Sequence, residues 1–159
     1  MSKNISYRSL FKEIASSKGY KIIAPSSGDR KNNIDILLEG HVNGNPSVFS
    51  LDIKKRNNKN PNNWIYIEYQ NSKGHKGWLY GKALFVAFET KDSFILVPRK
   101  ALLDWLSSSD LVRWDLPYVD KAWNSKYRLF RRKGTLETIT QIKVSDLFSI
   151  KGTQEWKKS

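Results

Sequence analysis

The sequence predicts a single domain of the α/β (α+β) class, a central mixed β-sheet flanked by helices, with a β-rich extension at its C-terminal side. Three observations predict it. Apolar or alternating runs between residues 34 and 97 are short enough for strands and are separated by turn residues. Helix-period runs stand on either side of them, over 6–18 and 98–107. A chain of 159 residues leaves room for one core. That core is expected over about 6–107 and a basic extension over about 108–159.

Residues 6–18 carry Leu10, Phe11, Ile14 and Ala15 at helical spacing, with Gly19 where a C-terminal cap belongs. YKIIAP follows as a short extended piece, and SSGDRKNN as a polar loop. IDILL, 34–38, is a compact strand ending at Glu39-Gly40. Asn43-Gly44 is a strong two-residue hairpin signal and makes SVFSLDIKK, 47–55, its antiparallel partner. After the polar loop RNNKNPNN, WIYIEYQ at 64–70 alternates as a third strand. KALFVAF, 82–88, is almost wholly apolar and therefore central, and FILV at 94–97 is a fifth strand. Pro98 opens a helix that turns Ala101, Leu102, Trp105 and Leu106 to one face. Further on, YRLFRR and TITQIKV flank Lys133-Gly134 as a basic hairpin, and SDLFSI is a short helix capped by Ser145.

Composition narrows the chemistry. Apolar residues make up 39% and aromatics 13%, enough for a packed core. Without cysteine there are no disulfides, thiolate zinc sites or cysteine nucleophiles, and two histidines leave little for a histidine-rich metal site. No run approaches the roughly 18 apolar residues of a membrane span, and the N-terminal residues have no apolar stretch of signal-peptide length, so a soluble intracellular protein is expected. The formal charge of +13 calls for a polyanionic partner, and nucleic acid is the first choice. An anionic membrane fits less well, because no clean basic amphipathic helix is present.

Metal-dependent phosphodiester cleavage needs hard oxygen ligands converging on one point, and a cation to position water or meet charge on the phosphate. Four acid-x-Lys triplets occur: Asp29/Lys31, Asp52/Lys54, Glu89/Lys91 and Glu155/Lys157. The first is in a polar loop, the third at a strand exit and the fourth in the C-terminal tail. Asp52 alone lies inside an apolar strand whose hairpin partner carries another acid, Asp35. Residues i and i+2 of a strand face one way, so Asp52 and Lys54 share a face. A charge inside an apolar strand is costly unless paired or bound to metal.

With Glu13 in helix 6–18, Asp35 in IDILL and Asp52-Ile53-Lys54 in LDIKK, residues 6–97 resemble the PD-(D/E)XK nuclease superfamily, which includes many restriction enzymes and archaeal junction resolvases. The resemblance implies a restriction-endonuclease-like fold and a Mg²⁺-dependent endodeoxyribonuclease, with Mn²⁺ as a substitute. It implies Asp35 and Asp52 as metal-binding acids and the main-chain carbonyl of Ile53 as a further ligand. It makes Lys54 the group that orients water or stabilises the pentavalent phosphate, and Glu13 the acid that holds a metal-bound water. Ile34 stands where the family name has proline, and the second acid is Asp. Glu68, with Gln70 on the same strand face, resembles the supporting acid or glutamine that some subgroups carry on the following strand. The alternative is a polar stripe on a half-exposed strand.

NSKGHKGWLYGK combines glycines, which admit a close phosphate, with Lys73, Lys76 and Lys82 and with Trp78 and Tyr80 for base stacking. The alternative is a glycine loop that packs Trp78 into the core. Lys55 and Arg56, and the cluster Arg128, Arg131, Arg132 and Lys133, are expected phosphate contacts, sequence-independent and salt-sensitive. His41 reads as a turn residue and His75 as a loop residue; Trp64, Trp105 and Trp114 read as packing residues. The expected partner is double-stranded DNA. A monomer would nick one strand; cutting both would need a homodimer or two encounters. Size and architecture suit a phage or mobile element. A non-catalytic DNA-binding module and an RNA-directed nuclease are the competing readings.

Overall fold

The computed structural model describes residues 5–56 and 64–159. In chain order the elements are α1 (Tyr7–Ser17), β1 (Lys21–Ile23), α2 (Ser27–Lys31), β2 (Ile36–Val42), β3 (Asn45–Lys54), β4 (Trp64–Gln70), β5 (Phe85–Glu89), β6 (Ser93–Pro98), α3 (Arg99–Ser108), β7 (Thr138–Lys143), α4 (Val144–Leu147) and β8 (Gln154–Lys157). Six strands form a mixed sheet in the order β1-β2-β3-β5-β6-β8, and β4 pairs with β7 in a separate two-stranded sheet. Every pairing is antiparallel except β3 with β5.

Strand alternation divides the core into two layers. On one face Ile36, Leu38, Leu51, Ile53, Ala87, Phe94 and Leu96 pack under Phe11, Ile14 and Ala15 of α1 and under Trp156 of β8. On the other face Val86, Phe88, Ile95 and Val97 meet Leu102 and Leu106 of α3 and the inner side of the small sheet. Each such fully buried aliphatic or aromatic side chain contributes about 1.5–3 kcal/mol. α1 is fixed at its start by Ser6, whose hydroxyl accepts from the Ser9 N–H, and stops at Gly19, whose φ of +93° suits a residue without a Cβ.

Several expectations change. SSGDRKNN is not simply a loop: Ser26 and Asp29 form a reciprocal capping box that starts α2. β4 does not lie beside β3. Parallel strands need a long crossover, and the connection from β3 to β5 carries β4 out to the other layer. β5 is apolar on both faces and takes the central slot, whereas the alternating β4 suits a sheet covered on one side. The basic hairpin is reduced to one bridge, Phe130 with Ile139, because β7 gives its ladder to β4. α4 begins after Lys143, whose N–H is held by the Asp146 carboxylate, so Ser145 is inside the helix. β8 was not anticipated; it adds an edge strand to β6. The loop expected over RNNKNPNN lies, after Arg56, outside the described residues.

Candidate active site

The β2–β3 hairpin turns on Asn43 and Gly44, with φ of +52° and +79°. These are the left-handed conformations of the tight turn that matches strand twist. Its register runs from Val42 opposite Asn45 to Ile36 opposite Leu51. Just beyond that last pair, at the open end, Asp35 comes beside Asp52. There the Asp35 N–H donates to the Leu51 carbonyl at 2.8 Å. Beyond Asp35 the strand is no longer there to accept the next donor, and the Asp35 carboxylate does so instead, taking the Ile53 N–H at 2.8 Å. The Ile53 carbonyl lies on the same strand edge as that N–H and is directed to the same side.

Asp52 is 3% exposed, although it carries a carboxylate. Lys54 Nζ lies 3.2 Å from its Oδ1, while its Oδ2 is buried with no hydrogen-bond partner. Burial pushes the carboxyl up to about 7; Lys54 pulls it down, and the neighbouring Asp35 carboxylate pushes it up again. Lys54 is itself steadied by Trp78, whose ring centroid is 4.9 Å from Nζ. Trp78 is 7% exposed, so it packs into the core and is not free to stack on a base.

Two residues of α1 join this group. Arg8 reaches Asp35 at 3.5 Å. The Tyr7 hydroxyl is held above its usual range by burial, against Arg8, and further by Asp35, Asp52 and Glu89. Glu13 is exposed and lies about 140° round the helix from Arg8, so it does not face the acids. Among the described residues no three His, Asp or Glu side chains are grouped to hold a metal ion. Glu89, read as part of a strand-exit turn, is buried at the end of β5, where it accepts from the Arg56 N–H and pairs with Lys158, each at 3.0 Å.

Clefts open beside both acids' neighbours. On the Asp35 side one of about 420 Å³ is lined by Arg8, Lys12 and Arg30. On the Lys54 side one of about 150 Å³ is lined by Lys55, Arg56 and Trp78, and it adjoins a groove of about 860 Å³ that shares Tyr66 and Trp78 with it. Glu68 lines that groove, not the acid pair. Gln70 is taken up as a brace, its amide donating to the Gly74 carbonyl at 2.7 Å. Lys73, Lys76 and Lys82 are exposed. Of the arginine cluster, Arg128 donates to the Pro117 carbonyl, Arg131 to Thr138 and Arg132 to Glu137, while Lys133 is exposed. Trp105 packs against the core as expected, Trp64 is half-buried between Lys126 and Lys143, and Trp114 is 51% exposed.

Tyr7, Arg8, Lys12 and Arg30 were not singled out from the sequence. Arg8 and Lys12 are four apart on one helix and share a face, which is a visible cue. Arg30 needed the capping box to be read as a helix. The donor set fits a divalent cation: two hard carboxylates pressed together, one oxygen with no partner, and a carbonyl aimed at the same edge. Compared with protein-family models, with curated proteins and with solved structures, the chain matches none of them.

Proposed function

We propose that the chain is a metal-dependent endonuclease of the PD-(D/E)XK type, hydrolysing phosphodiester bonds of DNA on a restriction-endonuclease-like core. The observation that carries this reading is the Asp35–Asp52 pair at the hairpin's open end, with the Asp52 Oδ2 buried and unpartnered and Lys54 beside it. A protein that only bound DNA would gain nothing from two carboxylates held together near a phosphate.

When bound at Asp35, Asp52 and the Ile53 carbonyl, Mg²⁺ or Mn²⁺ would polarise the scissile phosphate and make water a better nucleophile. Lys54, anchored by Asp52 and by the Trp78 face, carries donors that orient the attacking water or meet the charge gathering on the phosphate oxygens. Arg8, Lys12 and Arg30 line the approach to Asp35 and hold the neighbouring backbone by charge, without reading sequence. One such site per chain cuts one strand at a time; cutting both needs a dimer or two encounters.

Supercoiled plasmid incubated with the protein and Mg²⁺ is expected to become open circle. Chelation or Asp52→Asn is expected to stop it. Tight binding without cleavage of plasmid, branched DNA or RNA, in either metal, would leave a DNA-binding module in place of a nuclease. Cleavage of RNA alone would move the reading to an RNA-directed enzyme.

A further inference from the structure

A cavity of about 410 Å³ lies where the glycine loop after β4 meets the segment that follows α3. Its walls are aromatic: Tyr80, Trp114 and Tyr118 are 40%, 51% and 43% exposed. Single exposed aromatics are ordinary, but three converging on one cavity form a patch. Tyr69, from β4, also lines it. That side chain is 7% exposed, its ring packs edge-on against Trp114 with centroids 4.7 Å apart, and its hydroxyl has no hydrogen-bond partner. A buried hydroxyl left alone is unfavourable and is usually explained by something that completes it. Two cations flank the rings. Lys76 Nζ lies 5.6 Å from the Tyr80 centroid and the Arg131 guanidinium 5.3 Å from that of Tyr118. Among the described residues, no acidic side chain lines the cavity.

We propose that this cavity binds an unpaired nucleotide. The base lies against Tyr80, Trp114 and Tyr118, one polar atom of its edge meets the Tyr69 hydroxyl, and the flanking phosphate is held by Lys76 and Arg131. Aromatic faces alternating with cations are the means by which proteins hold unstacked bases without reading their order. An apolar peptide would use the rings but would leave both cations and the hydroxyl unanswered. The inference rests on the reading that the chain works on nucleic acid, and it adds a substrate class to it: strands with an unpaired or extruded nucleotide. The same chemistry is offered by a free nucleotide.

Fluorescence anisotropy in EDTA, where metal-dependent cleavage is stopped, tests it with labelled duplex, the same duplex bearing a one-nucleotide bulge, and single strand, each with and without dAMP as competitor. Bulged and single-stranded probes are expected to bind more tightly than duplex. Trp114→Ala, at an exposed position, is expected to weaken those two by about 5- to 150-fold and to leave duplex binding unchanged. Tyr69→Phe, which removes only the unpartnered hydroxyl, is expected to lower the same preference without harming the fold. Displacement by dAMP with no preference among the oligonucleotides would assign the cavity to a free nucleotide. Equal binding of all probes with no dAMP competition, or a preference that survives both variants, would overturn the inference. Absence of any binding would remove it together with the nucleic-acid reading. A preference that behaves as described, beside a plasmid that is never cut, would keep the cavity and remove the nuclease.

Discussion

Asp52 holds its proton more tightly in the folded chain than in the unfolded one. Burial moves its carboxyl from an ordinary value near 4 to about 7, so between those limits the folded state binds more protons. The contribution of this group to stability is therefore greatest below about pH 4 and is lost as pH rises through 7. The full shift corresponds to at most about 4 kcal/mol, and roughly 2–4 kcal/mol is the expected penalty at pH 8. Asp52→Asn, which resembles the protonated acid, is expected to raise the urea midpoint of the metal-free protein at pH 8 and to leave it almost unchanged at pH 4. Mg²⁺ should stabilise the native chain at pH 8 and not the variant. Lys54→Met should slow cleavage by about 10²–10³-fold, measured as single-turnover rates, with little change in DNA affinity. That Asp35, Asp52 and Lys54 lie together was legible because an acid inside an apolar strand, with a second acid across a tight turn, is an expensive arrangement. Glu13 was misplaced because its neighbours in the chain are not its neighbours on the helix: Tyr7 and Arg8, at the other end of α1, are the residues turned to the acids.

At the level of elements, the loop behind Trp78 is fixed by Gly77. Its N–H donates to the Tyr69 carbonyl at 2.8 Å, and a Cβ there would overlap the Glu68 carbonyl. Gly77→Ala is expected to push the loop off β4, destabilise the fold by about 1–3 kcal/mol in denaturant titration, and cut activity by loosening the ring under Lys54. On the other side of the site, Lys12→Ala with Arg30→Ala should weaken DNA binding and reduce the slope of log affinity against log salt by about one to two, without loss of stability. An unchanged slope would mean that the Asp35 cleft does not face the phosphate backbone. The hairpin and α1 could be read in advance because their signals are local: Asn43-Gly44 demands one turn, and Phe11, Ile14 and Ala15 fall on one stripe. α2 escaped because five residues without an apolar face give periodicity nothing to detect, although Ser26 and Asp29 spelled out its cap. The partner of β4 was hidden for another reason. Alternation reveals that one side of Ile65, Ile67 and Tyr69 is covered, but not that β7 supplies the ladder.

For the molecule as a whole, charge and topology act together. With a formal charge of +13, affinity for DNA should fall linearly on a log–log plot as salt is raised, and Lys73, Lys76 and Lys82 changed together to Ala should weaken binding about equally for all sequences. Filter binding across salt concentrations measures both. Net charge was plain from composition; its distribution was not, because Arg128, Arg131 and Arg132 form one run in the chain yet each is engaged by a neighbouring group. The residues after α3 complete both sheets, with β7 walling the groove and β8 closing the edge beside α1. Among the described residues, no helix is long and apolar enough to cross a membrane.

The ammonium of Lys54 over the Trp78 ring has an optical consequence. A shielded indole emits toward the blue, and a positive charge against its face changes the energy and yield of that emission. Displacement of Lys54 by a departing proton, an arriving cation or a phosphate therefore alters the colour of the protein's own ultraviolet fluorescence. Trp114 and Trp123, at 51% and 65% exposure, can be silenced by a quencher dissolved in the water, while Trp78 and Trp156, 7% and 6% exposed, go on emitting, and Trp78 is the one beside Lys54. The chain thus contains a chromophore at Lys54, and events there can be timed by stopped flow with no label attached.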